Sequence, residues 1–153
     1  MTRCKGAFIP NETIDVLILG TMPGKKSLES DFYYVDKKNR FWDILAKVFN
    51  EETPLTVAKR KAFLVKHNIA LWDVIKECER EGSLDVNIKN VKVNKEIRNL
   101  GAKYIFCNGN TAYKLFKKNF QDLEATLLIS SSQAAGWKKN IDDLRGWEKV
   151  RVS

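Results

Sequence analysis

Four short apolar runs constrain this chain more than anything else in it: Val16 to Leu19 (VLIL), Ile69 to Trp72 (IALW), Tyr104 to Cys107 (YIFC) and Thr126 to Ile129 (TLLI). Each is short, bounded by turn residues and apolar at nearly every position, so each reads as a strand covered on both faces. The segments between them carry helical patterns. Phe41, Ile44, Leu45 and Val48 recur at helical spacing, as do Ala112, Leu115 and Phe116, and both stripes suit the face of a sheet. Strand alternating with helix predicts an α/β fold built on a parallel sheet. Asn110 and Thr111 are candidate caps for the second helix, and Gly101 is expected to end a helix before the third strand. The stretch from Gly82 to Asn94 has no clear period and reads as an irregular connection. No repeat, low-complexity segment or linker divides the chain, so residues 1–153 are expected to form one domain.

In a parallel sheet, ligands bind outside the carboxyl ends of the strands. Directly after VLIL comes LGTMPGKKSLES (Leu19 to Ser30), and soon after it FYYVDKKNRFW (Phe32 to Trp42). Together they bring aromatic faces, a carboxamide and cations to one edge, the groups needed by an enzyme acting on an extruded nucleotide. GTMPGKKS is not a phosphate-binding P-loop. Three residues, not four, separate Gly20 from Gly24, Lys25 is followed by Lys26, and Pro23 has no amide hydrogen to donate.

The net charge of +8 favours a polyanionic partner, and the lysines cluster where that partner would lie. Lys25 and Lys26, Lys37, Lys38 and Arg40, and Lys138 and Lys139 all flank loops of the same sheet edge. Cys4, Cys78 and Cys107 are odd in number and widely spaced, which suggests reduced thiols rather than disulfides or a zinc site. The chain shows no signal-peptide h-region and no apolar run long enough to span a bilayer, so a cytoplasmic protein without membrane association is expected.

The motifs GTMPG, YYVDKKNRFW, NIALWDVIKECEREGSLD, YIFCNGNTAYKLF and LLISSSQAAG run in order through nearly the whole chain. In that order they resemble the uracil-DNA glycosylase superfamily, and within it the hypoxanthine-DNA glycosylase branch, sometimes called family 6. The resemblance implies a three-layer αβα sandwich with a four-stranded parallel sheet and a base pocket at the carboxyl ends of its strands. In that branch the Asn of the YYxxxxNxFW motif is catalytic, which here is Asn39. Its uncharged carboxamide can hold a water or the substrate, and it can also cap the helix that begins NRFW. Many other superfamily members place the catalytic group where this chain has Met22, which cannot polarise water.

Tyr34 matches the aromatic that stacks on the flipped base, with Tyr33 beside it as the other candidate. The backbone of Thr21, Met22, Pro23 and Gly24 is expected to meet the edge of the base. Asp73 matches a base-reading position: it either accepts a ring N–H of hypoxanthine or uracil or caps a helix after its strand. Asp36, where relatives more often carry His, is either a general base or a solvated loop residue. Asn108 is assigned to the turn at Gly109 or to a phosphate. His67, the only histidine, reads as a surface or helix-end residue.

The fourth-strand loop departs from the family signature. Ser130, Ser131 and Ser132 survive as phosphate contacts, but Gln133 replaces Pro and Ala135 replaces Asn. Trp137 with Lys138 and Lys139 is either a replacement intercalator with phosphate anchors or a packing residue. Lys25, Lys37 and Lys38 complete the expected DNA contacts.

The resulting expectation is a monomeric, monofunctional DNA glycosylase that removes hypoxanthine or uracil from damaged DNA without metal or organic cofactor. No lysine stands where a Schiff-base nucleophile would be needed. The alternative is a non-catalytic nucleic-acid-binding protein that retains the fold.

Overall fold

A computed structural model of the chain describes residues 2–30, 32–80 and 88–152. Its centre is a four-stranded parallel sheet of β2 (Val16–Gly20), β3 (Ile69–Asp73), β6 (Tyr104–Asn108) and β7 (Thr126–Leu128), in the spatial order β3-β2-β6-β7. The register runs Val16 beside Ile69 and Tyr104, and Leu19 beside Trp72 and Cys107. Every residue of β2 is buried, as a central parallel strand requires.

The alternation of side chains along β2 sorts the core into two layers. Val16 and Ile18 face α2 (Phe41–Val48) and α3 (Val57–His67), packing with Phe41, Ile44, Leu45, Phe63, Leu64 and the fully buried Trp147. Leu17 and Leu19 face the opposite way, toward Ala112, Phe116 and Phe120 at α4 (Asn110–Asn119) and Ile97 of a 3-10 turn, Lys95–Leu100. The expected three-layer arrangement follows. Each expected strand runs within about one residue of its observed ends, because pairing continues to Gly20 beside Asp73.

A second sheet departs from the expectation. β1 (Thr2–Arg3), β4 (Ile75–Glu79) and β5 (Lys89–Val93) form an antiparallel sheet in the order β1-β4-β5. The segment 89–93 is therefore a strand rather than an irregular connection, while residues 82–87 of that expectation lie outside the described residues. Its sequence, KNVKV, is exposed almost throughout, and the pairing is broken by register shifts, so no apolar alternation announces it.

Two helix ends also differ. The cap of α4 is Gly109, at φ +100° with no side-chain cap, so neither Asn110 nor Thr111 serves. A Cβ at Gly109 would lie 3.3 Å from that of Ser130, which keeps the turn after β6 free of a side chain. Gly101 ends the 3-10 turn 95–100 at φ +64°, in place of the expected helix. His67 closes α3, as expected of a helix-end residue. Its ring stacks on Phe49 with centroids 3.8 Å apart, and Nε2 lies 2.5 Å from Glu51.

Candidate active site

Because the central strands are parallel, their carboxyl ends share one edge, and the loops that follow them enclose a cavity of about 720 Å³. Residues 20–24 after β2 form one wall, with Lys26 and Ser27 of α1 (Lys25–Leu28) beyond them. Residues 130–134 after β7 form the opposite wall, and Tyr33, Tyr34, Asp36, Lys38 and Asn39 come from the segment before α2. Asp73 and Asn108 reach it from the ends of β3 and β6.

The first wall is stitched by main chain. Val74 N–H donates to the Gly20 carbonyl at 2.8 Å and Ile75 N–H to that of Thr21 at 3.1 Å. A Cβ on Gly20 would stand 2.7 Å from Asp73 Oδ1 and 3.1 Å from the Tyr34 hydroxyl, so only glycine leaves both polar groups their places. Met22 is buried with Ile75 and Cys78.

Asp73 is 2% exposed. The residues after it form β4, not a helix, so the helix-capping alternative does not apply. Asn94 Nδ2 donates to the Asp73 carbonyl at 2.9 Å and steadies the end of β3. Burial, and then the Asp73 charge, push the Tyr33 phenol well above its ordinary range.

The two tyrosines have different settings. Tyr33 is buried, and its hydroxyl donates to the Gly6 carbonyl at 2.8 Å. Tyr34 is half-buried and sits at φ +53°, a conformation that costs a bulky residue energy and is held by its surroundings. Its ring stacks on Phe41 with centroids 3.9 Å apart and planes 12° from parallel.

Asn39 Oδ1 accepts from Phe41 N–H at 3.0 Å, a local contact one residue ahead of the helix N-cap, which is Arg40 and has no side-chain cap. The same oxygen accepts from the Ser131 hydroxyl at 2.7 Å. Ser131 is fully buried, its N–H donates to Asn108 Oδ1 at 2.9 Å, and its Oγ accepts from Asn108 Nδ2 at 2.9 Å. Ser131 therefore has no group left for a phosphate, and Asn108 serves it rather than the turn or a phosphate. With both lone pairs of Oδ1 engaged, Asn39 has no free acceptor with which to hold a water; its Nδ2 has no partner among the described residues.

The remaining expected residues divide. Ser130 and Ser132 line the cavity, with their hydroxyls 3.0 Å apart. Trp137 takes the packing role: Nε1 donates to the Ser130 carbonyl at 2.7 Å, and the Arg145 guanidinium lies 4.8 Å from its ring centre. Lys38 and Lys26 line the cavity, whereas Lys25, Lys37 and Lys138 are exposed outside its lining. Lys138 stands 3.7 Å from Asp142. Asp36 accepts from Lys38 N–H at 3.0 Å and faces Lys26 at 3.8 Å, the setting of a solvated loop carboxylate.

Arg40 was grouped by sequence with the surface cations, but it works inward. Its guanidinium donates to the carbonyls of Lys138 at 2.6 Å and Lys139 at 2.9 Å and pairs with Asp43 at 2.9 Å. Its N–H donates to the Ser131 carbonyl at 2.9 Å. Ser27, also missed, is buried and accepts from Val35 N–H at 3.2 Å, which ties the first loop to the tyrosine segment. Among the described residues, no group of three or more His, Cys, Asp or Glu is placed to hold a metal ion.

The cavity thus brings together a stacked aromatic wall, a buried carboxylate and a carboxamide held at its oxygen, and it opens among lysines. The chain belongs to the uracil DNA glycosylase superfamily, whose profile matches residues 8–150. Among curated proteins it is similar to a hypoxanthine DNA glycosylase of Methanosarcina barkeri, 35% identical over 94 residues, 60% of each chain. It is also similar to a hypoxanthine DNA glycosylase of Methanosarcina acetivorans, 35% identical over 85 residues, 55% of this chain and 54% of that protein. The aligned segments thus span less than two thirds of either relative. A solution NMR structure from Methanosarcina acetivorans, provisionally described as a uracil DNA glycosylase, superposes with a TM-score of 0.78 at 28% identity. That match covers 97% of this chain and 96% of the other.

Proposed function

We propose that this protein is a monofunctional DNA glycosylase that hydrolyses the N-glycosidic bond of a flipped, deaminated base, hypoxanthine or uracil. The observation that carries the reading is the meeting of Asn39, Tyr34 and Asp73 around one cavity, from two separate segments. The base stacks on the Tyr34 ring, which Phe41 backs on its other side. The Asp73 carboxylate accepts the ring N–H that hypoxanthine and uracil carry and that adenine and cytosine lack at the matching position. A base offering a lone pair there leaves a buried acceptor facing an acceptor, which rejects it strongly.

Lys26 and Lys38, with the hydroxyls of Ser130 and Ser132, hold the phosphates on either side of the extruded nucleotide. Asn39 acts at the glycosidic bond, whose cleavage has oxocarbenium character, and a water adds to C1′ to leave an abasic site. The test is incubation with labelled oligonucleotides carrying hypoxanthine, uracil, xanthine or no lesion, in EDTA, followed by alkali. Strand cleavage at one or both deaminated bases, lost in Asn39→Ala with DNA affinity retained, is the expected result. Intact strands on every lesion despite DNA binding would replace this reading with a non-catalytic DNA-binding protein.

A further inference from the structure

The polar chain from Asn108 through Ser131 to Asn39 has only one possible sense, and that sense fixes which end of the Asn39 amide is engaged within the protein. Two of its bonds come from backbone N–H groups, which can only donate. Ser131 N–H at 2.9 Å requires the atom facing it to be Asn108 Oδ1, and this turns Asn108 Nδ2 toward Ser131 Oγ, 2.9 Å away. Phe41 N–H at 3.0 Å likewise requires Asn39 Oδ1. Ser131 Oγ receives a proton from Asn108 and has one proton of its own, which goes to Asn39 Oδ1 at 2.7 Å. Ser131 is fully buried, so no solvent competes for these bonds. Its carbonyl is held in turn by Arg40 N–H at 2.9 Å.

We infer that Ser131 and Asn108 are positioning residues that turn the Asn39 amide so that it serves the reaction as a hydrogen-bond donor to the departing base. The inference rests on the glycosylase reading and adds to it the polarity of the catalytic group. Two donors on Oδ1 polarise the amide and strengthen Nδ2–H as a donor. In the cleavage, the bond from C1′ to the base nitrogen breaks with its electron pair going to the base. Nδ2–H stabilises that anion without giving up a proton. Water oxygen then bonds to C1′ and releases its proton to solvent, and the base anion takes a proton from solvent. The sum is nucleotide plus water giving abasic sugar plus neutral base.

Single-turnover cleavage by isosteric variants tests this, with DNA affinity and thermal midpoint measured alongside. Asn39→Asp keeps the acceptor for Phe41 and Ser131 and replaces the donor by an oxygen. The rate is expected to fall roughly 100-fold or more, as when an oxyanion-type donor is lost. A retained or raised rate would mean that Asn39 holds the water as an acceptor, and would overturn the inference. Asn108→Asp keeps the acceptor for Ser131 N–H, but when ionised it draws the Ser131 proton to itself. When protonated, it again offers one acceptor and one donor, as Asn does. Its cleavage relative to the parent protein is therefore expected to be reduced at neutral pH and to recover as pH falls, with affinity and thermal midpoint nearly unchanged. A ratio that stays flat with pH would overturn the relay, since a role confined to packing has no such pH signature. If the parent protein cleaves no lesion, the glycosylase reading itself fails and takes this inference with it. If the parent cleaves and the variants miss these signatures, only the inference fails.

Discussion

The two walls of the cavity are held by different means. The loop after β2, residues 20–24, is fixed by main-chain hydrogen bonds to the start of β4, by the burial of Met22 and by the Arg80 guanidinium at the Pro23 carbonyl, 2.5 Å away. The segment after β7, residues 130–139, is fixed by side chains: Asn39, Arg40, Asn108 and Arg145 from elsewhere in the fold, and its own Trp137. A wall made of backbone contacts tolerates changes of side chain wherever no close approach forbids them. A wall made of side-chain contacts can be loosened by single substitutions at a distance from it.

The sharpest way to break this contrast is Gly20→Ala, a position where the main-chain wall depends on a side chain's absence. The added Cβ meets Asp73 Oδ1 at 2.7 Å and the Tyr34 hydroxyl at 3.1 Å and must displace one of them. Destabilisation of about 1–3 kcal/mol is expected in denaturant melts, and cleavage is expected to fall about 100-fold. Wild-type activity in this variant would show that Asp73 and Tyr34 need not be held where they are.

Arg40→Ala probes the other wall. It removes bonds to the carbonyls of Lys138 and Lys139 and to Asp43, at an expected cost of about 1–2 kcal/mol. Weaker DNA binding is expected to accompany it, because the lysine pair after β7 is no longer pinned. Titrating labelled duplex at two salt concentrations separates this from simple charge loss. An Arg40→Lys variant that restored full affinity would reduce Arg40 to a surface charge.

Glu51 supplies the mild end of the series, a charged cluster remote from both walls. Burial alone would raise its carboxyl pKa, but hydrogen bonds from His67 and Lys66 outweigh this and hold it below the ordinary value. A depressed folded-state pKa means the group stabilises the fold above its unfolded pKa, and that this contribution disappears as pH falls through the folded value. Glu51→Gln is therefore expected to cost about 0.5 kcal/mol at neutral pH. Melts repeated toward pH 3 should show parent and variant converging, with cleavage unaffected throughout.

How far the sequence could be read depended on where each signal is stored. β2 and β3 carry their burial in consecutive apolar residues and β6 at Phe106 and Cys107, so their existence and parallel arrangement are legible locally. β5 is a strand because β4 lies beside it, and KNVKV says nothing of the kind by itself. Asn39 and Tyr34 were singled out by the family resemblance of their motif, and both line the cavity. Trp137 could be assigned two roles from sequence and Ser131 one, a phosphate contact; hydrogen bonds and packing gave Trp137 the second of its two and turned Ser131 inward. The groups that engage Trp137 are Ser130 and Arg145, seven residues before it and eight after it.

The sequence by itself determined the parallel α/β class, the edge at which a site would form and the residue types delivered to it, because periodicity and motif spacing are local properties of the chain. Only the tertiary structure decided what each polar group is free to do. Ser131 and Asn39 are 92 residues apart, Arg40 and Lys138 98. A hydrogen bond across that separation has geometry and direction only after the strands have paired and the helices have packed, and its direction is what engages Asn39 Oδ1 and leaves Nδ2 without a partner among the described residues.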